Sequence, residues 1–304
     1  MTAPEIAAVV RLENMTPNPL NLSSDEQDAV FITANVPSLG EFSFYVHRRS
    51  DIYISGDLLR DRIWEPFETK VFCRLCKQGD FVVDIGANIG WYSVIASRLV
   101  GVTGKVVAFE PDPTNLQILK KNVAISAKAG EVEIHNLALA DCKSSQELFL
   151  SPNNLGDHRL FDDGTGREVV VVEVDTLDRF FGSGPRRPTL VKSDTQGSEA
   201  KILSGAAKLF AEGWRPVLIL EFWPYGLTNS EDEPLLFFRQ LTSLGYDIYE
   251  VNEGNPKLAR LLDDGMRTRL ESYLRVETMG HTNLLCLPRR SERFASISDM
   301  IYEA

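Results

Sequence analysis

The chain has 304 residues, 43% of them apolar and 25% charged, with a formal net charge of −11. That is the make-up of a soluble globular protein long enough to bury a full core, and its acid excess argues against a nucleic-acid partner or a polyanionic membrane surface. The stretch 1–11 lacks the pattern of a secretory signal, no run approaches the ~20 apolar residues of a membrane span, and four cysteines do not make a disulfide framework at this length, so cytoplasmic residence is expected.

Residues 1 to about 40 carry Pro17, Pro19 and Pro37 and read as an extension or a partly ordered arm. The stretch 41–47 alternates enough for a strand, and 52–54 reads as another short extended piece. From Trp64 the pattern becomes regular and predicts helix 65–77, strand 81–85, helix 90–99, strand 105–109, helix 113–126 and strand 131–137. Strand-like stretches at 146–150 and 168–174 flank a long polar loop, 151–167, of a length that is usually functional or disordered. Alternation resumes with strand 189–192, helix 198–210, strand 217–220, helix 233–244, strand 246–251 and a last strand at 281–287. Strands alternating with helices predict an α/β fold. The expected architecture is a seven-stranded doubly wound, mostly parallel sheet with extra strands inserted before strand four.

The run Phe81-Val82-Val83-Asp84-Ile85-Gly86-Ala87-Asn88-Ile89-Gly90 is an apolar strand ending in a carboxylate, a small-residue turn and a helix start. A second run, Val106 to Phe109, ends in Glu110, 26 positions beyond Asp84. A βαβ unit sets two such acids on adjacent strand tips, where open α/β sheets bind ligands. Glycines at 86 and 90 with Asn88 between them fail the G-x-G-x-x-G pattern of a pyrophosphate-binding turn, and Asp84 would repel that anion. A nicotinamide-dependent oxidoreductase is disfavoured on these grounds. The two acids suit a positively charged nucleoside with a free ribose diol, and S-adenosylmethionine is such a ligand.

Lys192-Ser193-Asp194-Thr195-Gln196-Gly197-Ser198-Glu199 repeats the theme, with Asp194 expected on the same sheet edge as Asp84 and Glu110. Glu199 falls in the first turn of the next helix, where its charge suits the dipole. His158 is the only histidine in the glycine-bearing polar loop and could accept a proton from a hydroxyl. His47, His135 and His281 fall in apparent strands and read as structural. Glu221 ends the strand at 217–220; with Asp194 it could hold a divalent cation such as magnesium, although no third ligand accompanies them. Phe222, Trp223 and Tyr225 suit either an acceptor pocket or packing. Cys73-x-x-Cys76 sits on a helical repeat with no second Cys or His pair, and reads as a pair of small packing residues.

Taken together the motifs resemble the FkbM-type methyltransferases: VVDIGANIGWYSV at 82–94, AFEPDPTNLQILKKN at 108–122, NLALAD at 136–141, VDTLDRF at 174–180, LVKSDTQGSEAKILSGA at 190–206 and TNLLCLP at 282–288. The resemblance implies a class I Rossmann-like methyltransferase fold over 51–290, with an N-terminal extension, 1–50, and a C-terminal tail, 291–304. It implies S-adenosylmethionine as cofactor and O-methylation of a hydroxyl on a small molecule or sugar. Residue by residue, it assigns the cofactor turn to Asp84, Gly86, Asn88 and Gly90, the ribose acid to Glu110, and the strand end facing the adenine to Asn136. Asp194 matches the acid of the family's K-x-D-x-E-G-x-E segment, in which Gln196 here replaces a Glu. The NLGDHRL segment at 154–160 favours His158 as a second catalytic candidate beside Asp194. A cofactor-binding protein without catalysis is the alternative left open by Gln196.

Overall fold

A computed structural model describes residues 7–9, 28–128 and 131–302. Its first elements are β1 (Ala7–Val9), the hairpin β2 (Ala29–Val36) and β3 (Gly40–His47), α1 (Ile54–Asp61) and α2 (Pro66–Leu75). The alternating part then runs β4 (Phe81–Ile85), α3 (Trp91–Leu99), β5 (Lys105–Phe109), α4 (Pro113–Ser126) and β6 (Glu131–His135). An insertion follows: β7 (Ala138–Leu139), β8 (Ser144–Leu150), β9 (Glu168–Asp175) and α5 (Leu177–Phe181). The second half comprises β10 (Leu190–Ser193), α6 (Glu199–Ser204), α7 (Ala207–Ala211), β11 (Val217–Phe222), α8 (Pro224–Asn229) and α9 (Pro234–Ser243). It closes with β12 (Tyr246–Asn252), β13 (Asn255–Leu261), α10 (Asp263–Glu271) and β14 (Thr282–Pro288).

The main sheet has the order β1-β6-β5-β4-β10-β11-β14-β12-β13. From β6 to β11 neighbouring strands are parallel, and β14 runs antiparallel between β11 and β12. These seven strands are the expected doubly wound sheet. Two antiparallel edge strands, β1 and β13, extend it beyond the seven. The inserted strands β7, β8 and β9 pair with each other in a separate three-stranded sheet, before the fourth strand of the order as expected.

Both faces of the sheet are covered, which is why its central strands are apolar at every position. Val82, Val106 and Leu190 pack on one side with α2, α3 and α4, while Phe81, Val83, Ile85 and Val191 pack on the other with α5, α6 and α9. Local chemistry starts the helices near the site. Asp112 caps α4 by accepting from the Asn115 N–H at 2.7 Å, with Pro113 at the first helical position.

Three local expectations change. Residues 52–54 are not extended: the Asp51 carboxylate accepts from the Ser55 N–H at 2.7 Å and turns the chain into α1. The helix expected at 198–210 is two short helices, because Gly205 packs so closely on the Ala140 carbonyl that a Cβ there would lie 2.1 Å from its oxygen. Within the expected arm, Ala29–Val36 pairs along its whole length with β3. Ile32, Ala34 and Val36 point inward, and Asn122 of α4 bonds both backbone polar groups of Tyr45.

Candidate active site

Parallel strands end together, so residues that close β4, β5, β10 and β11 meet at one edge. The order reverses between β4 and β10, the switch point at which doubly wound sheets open a crevice. A cavity of about 370 Å³ lies there, and Asp84, Gly86, Asn88, Glu110, His158 and Asp194 all line it.

The turn after β4 is shaped by close approach. Gly86 has φ +73, and a Cβ on it would stand 2.0 Å from the Asp194 carbonyl oxygen. Gly90, φ +90, lies as tightly on Leu119 and leads into α3. Asp84 is buried and accepts from the Ser93 hydroxyl at 2.6 Å. Burial pushes its carboxyl up to about 6.

Glu110 is bound into the same turn. Its Oε2 accepts the Asn88 N–H at 2.7 Å and its Oε1 the Asp112 N–H at 2.8 Å. Burial, reinforced by the Asp112 charge, nevertheless raises this carboxyl to about 8. Asn136 is exposed and outside the cavity lining. Its amide donates to the Glu110 and Pro111 carbonyls at 3.0 and 2.8 Å, which fixes the backbone behind Glu110.

The polar loop 151–167 folds over this turn. The Asn88 and Asn115 side-chain amides donate to the Leu155 carbonyl at 2.9 and 2.8 Å. Arg159 is buried between Asp157 and Asp163, with its guanidinium 4.6 Å from the centre of the Trp223 ring. His158 Nδ1 accepts the Ser151 N–H at 3.0 Å, so the neutral ring carries its proton on Nε2, 3.9 Å from Asp112. Burial lowers the pKa of this ring. His47 and His135 are buried, as expected, whereas His281 is exposed at the cavity lining just ahead of β14.

The far end of the cavity is acidic. Strand alternation puts Lys192 and Asp194 side by side, with Nζ 3.4 Å from Asp194 Oδ2 and 2.8 Å from Glu68 Oε1 on α2. Lys192 is 1% exposed. Burial opposes its charge, but Glu68 and Asp194 hold the ammonium well above its usual pKa. Glu221 accepts from the Gln196 backbone and side chain, and Glu65 accepts from the Tyr92 hydroxyl at 3.1 Å. Burial and neighbouring carboxylates push both Glu65 and Glu221 well above the usual range. Glu199 turns back on its own loop, accepting from Thr195 and Gly197, and burial raises it to about 7.

Sequence reasoning missed Lys192, Glu65 and Glu68 as parts of this site. A lysine inside the apolar run of β10 was the one available signal. The two glutamates come from α2, more than a hundred positions away, and only folding brings them there. Cys76 is buried, with its thiol held well above the usual range by burial, and Cys73 is half-buried, as packing residues would be.

A switch-point crevice with acids on adjacent strand tips, on a seven-stranded sheet whose last strand is antiparallel, defines a class I methyltransferase of Rossmann-like fold. Residues 84–248, more than half of the chain, match the Methyltransferase FkbM domain, and the chain belongs to that family. Methyltransferase sdnD of Sordaria araneosa is 27% identical over 177 residues, covering 48% of this chain and 68% of that protein. Among solved structures, the precorrin-6y C5,15-methyltransferase of Geobacter metallireducens is 15% identical, covering 63% of this chain and 77% of that one, with a TM-score of 0.37. A SAM-dependent O-methyltransferase of Thermotoga maritima is 13% identical, covering 83% and 76%, with a TM-score of 0.36.

Proposed function

We propose that this chain transfers the methyl group of S-adenosylmethionine to a hydroxyl of a small molecule or sugar. The observation that carries the reading is the single cavity edge shared by Glu110, the Asp84–Gly90 turn and Asp194. The residues fit the cofactor. Glu110 keeps lone pairs free on both oxygens after accepting two backbone N–H groups, enough for a vicinal diol. Asp84 and Asp194 bring negative charge to the place where a sulfonium would lie, and Gly86 keeps the backbone close by having no side chain. Asn136 serves from outside, by holding the Glu110 backbone.

The cofactor supplies an electrophilic methyl group. The chain's own residues orient the acceptor in line with it, exclude water beneath the 151–167 loop and take up the hydroxyl proton. Of the two base candidates, the geometry favours Asp194. His158 presents an N–H, not a lone pair, on the nitrogen left free by Ser151. An enclosed acidic cavity suits a small polar acceptor better than a nucleic acid. Among the described residues no helix is long and apolar enough to cross a membrane. The proposal places the reaction in the cytoplasm, where the four unpaired cysteines stay reduced.

Calorimetric titration of S-adenosylmethionine and S-adenosylhomocysteine, followed by a panel of hydroxyl-bearing acceptors with product detection by mass, tests the reading. Binding by the wild type and a mass gain of one methyl group on an oxygen are expected. Methylation confined to nitrogen would overturn the O-methyl assignment, and no binding of either nucleoside would overturn the cofactor.

A further inference from the structure

Asp194 follows β10 and Glu221 ends the adjacent parallel strand β11, so two carboxylates face each other across the acceptor end of the cavity. Gln196 stands between them. Its Nε2 lies 3.0 Å from Asp194 Oδ1 and 3.1 Å from Glu221 Oε1. Its backbone, in the left-handed region at φ 56, donates to Glu221 Oε2 at 3.1 Å. Both oxygens of Glu221 are therefore held by one residue.

The orientation of this amide follows from its chemistry. Only the NH2 end offers two hydrogens; the oxygen end would face two acceptors. Two carboxylates gathered onto one positive point is the arrangement a bridging cation produces. The nearby ammonium, Lys192, does not make that bridge, because it is committed to Glu68 and to the other oxygen of Asp194. Among the described residues no group of three or more His, Cys, Asp or Glu side chains could hold a metal ion. A third ligand at this point is what the carboxamide replaces.

We infer that Gln196 is a positioning residue whose carboxamide takes the place of a bridging cation, tying Asp194 to Glu221 and fixing the direction of the Asp194 carboxylate. Its purpose rests on Asp194 acting at the acceptor hydroxyl, as proposed above; the bridge itself does not. The amide is a permanent donor, so the pair stays gathered whatever ions surround the protein. A carboxylate at 196 would instead leave three acids that only a proton or a divalent ion could reconcile.

Manganese(II) chloride alone, titrated calorimetrically into the wild type, Gln196→Glu and the double variant Gln196→Glu/Asp194→Asn, tests the inference. One site is expected in Gln196→Glu, at least tenfold tighter than in the wild type and lost again in the double variant. Gln196→His adds a ligand without adding charge and is expected to give the same gain, so a folding failure of the glutamate variant does not stop the test. Wild-type binding as tight as that of Gln196→Glu, or no gain in either single variant, would overturn the bridge. Neither cofactor nor acceptor enters the titration, so its failure leaves methyl transfer standing, and a failure of cofactor binding leaves the bridge standing.

Discussion

The backbone N–H of Asn88 donates to Glu110 Oε2 at 2.7 Å, so the turn after β4 and the acid after β5 form one rigid unit. Truncating that acid removes the diol acceptor together with a support of the turn. Hydrogen bonds to a charged group contribute about 1.5–3 kcal/mol each. Glu110→Ala is therefore expected to weaken S-adenosylhomocysteine binding by about 10- to 100-fold, measured by calorimetry. An unchanged dissociation constant would remove Glu110 from the cofactor site.

The raised Glu110 carboxyl makes both stability and binding depend on pH. Burial moves it from about 4.5 in the unfolded chain to about 8 in the fold, so the folded protein binds more protons between those values. This contribution to stability is fully present below about pH 4.5 and is lost as pH rises through 8. Ligand hydroxyls prefer the ionised carboxylate, so affinity should grow up to about pH 8 and then level. Thermal melts at pH 5.5 and 8.5 are expected to show a larger rise in Tm with S-adenosylhomocysteine at the higher pH. An equal rise at both would show that Glu110 does not titrate with binding.

Gly86 and Gly213 separate close approach from backbone conformation. Both have positive φ, but a Cβ at 86 meets the Asp194 carbonyl at 2.0 Å, whereas at 213 nothing lies within 4 Å. Gly213→Ala should cost about 1–2 kcal/mol, from the left-handed backbone alone. Gly86→Ala should cost more than that and also weaken cofactor binding, since β4 and β10 must move apart. Denaturant unfolding compares the two, and equal losses would contradict the close approach.

The buried pair of Lys192 and Glu68 is expected to show strong non-additivity. Lys192→Met leaves Glu68 buried without its partner, at a cost of about 3–5 kcal/mol. Adding Glu68→Gln should recover part of that loss, and a double-mutant cycle measures the coupling. Additive losses would mean that the pair carries no coupling.

With an acceptor in hand, Asp194→Asn should lower turnover by about 10²- to 10⁴-fold, while cofactor affinity stays near that of the wild type. His158→Gln should stay within a few-fold, because glutamine can still accept the Ser151 N–H. The reverse ranking would move the base to the loop.

The sequence by itself determined the sheet and the cofactor turn. Apolar runs that end in Asp84 and Glu110, each followed by a turn and a helix, are local signals, and parallel strands require them. It also placed Asp194 on the same edge, since β10 repeats that pattern. The hairpin partner β2 was hidden because its inward residues are small or branched and its outward ones polar, a weak pattern until β3 lies beside it. The role of Asn136 was decided only in three dimensions, where its amide turned to the Glu110 and Pro111 carbonyls and away from the cavity. So were the tautomer of His158, set by the Ser151 N–H, and the acidic end of the cavity, where Glu65 and Glu68 of α2 meet Lys192. Those arrangements depend on burial and on charges brought together from distant segments, and neither has a period or a spacing that a sequence can display.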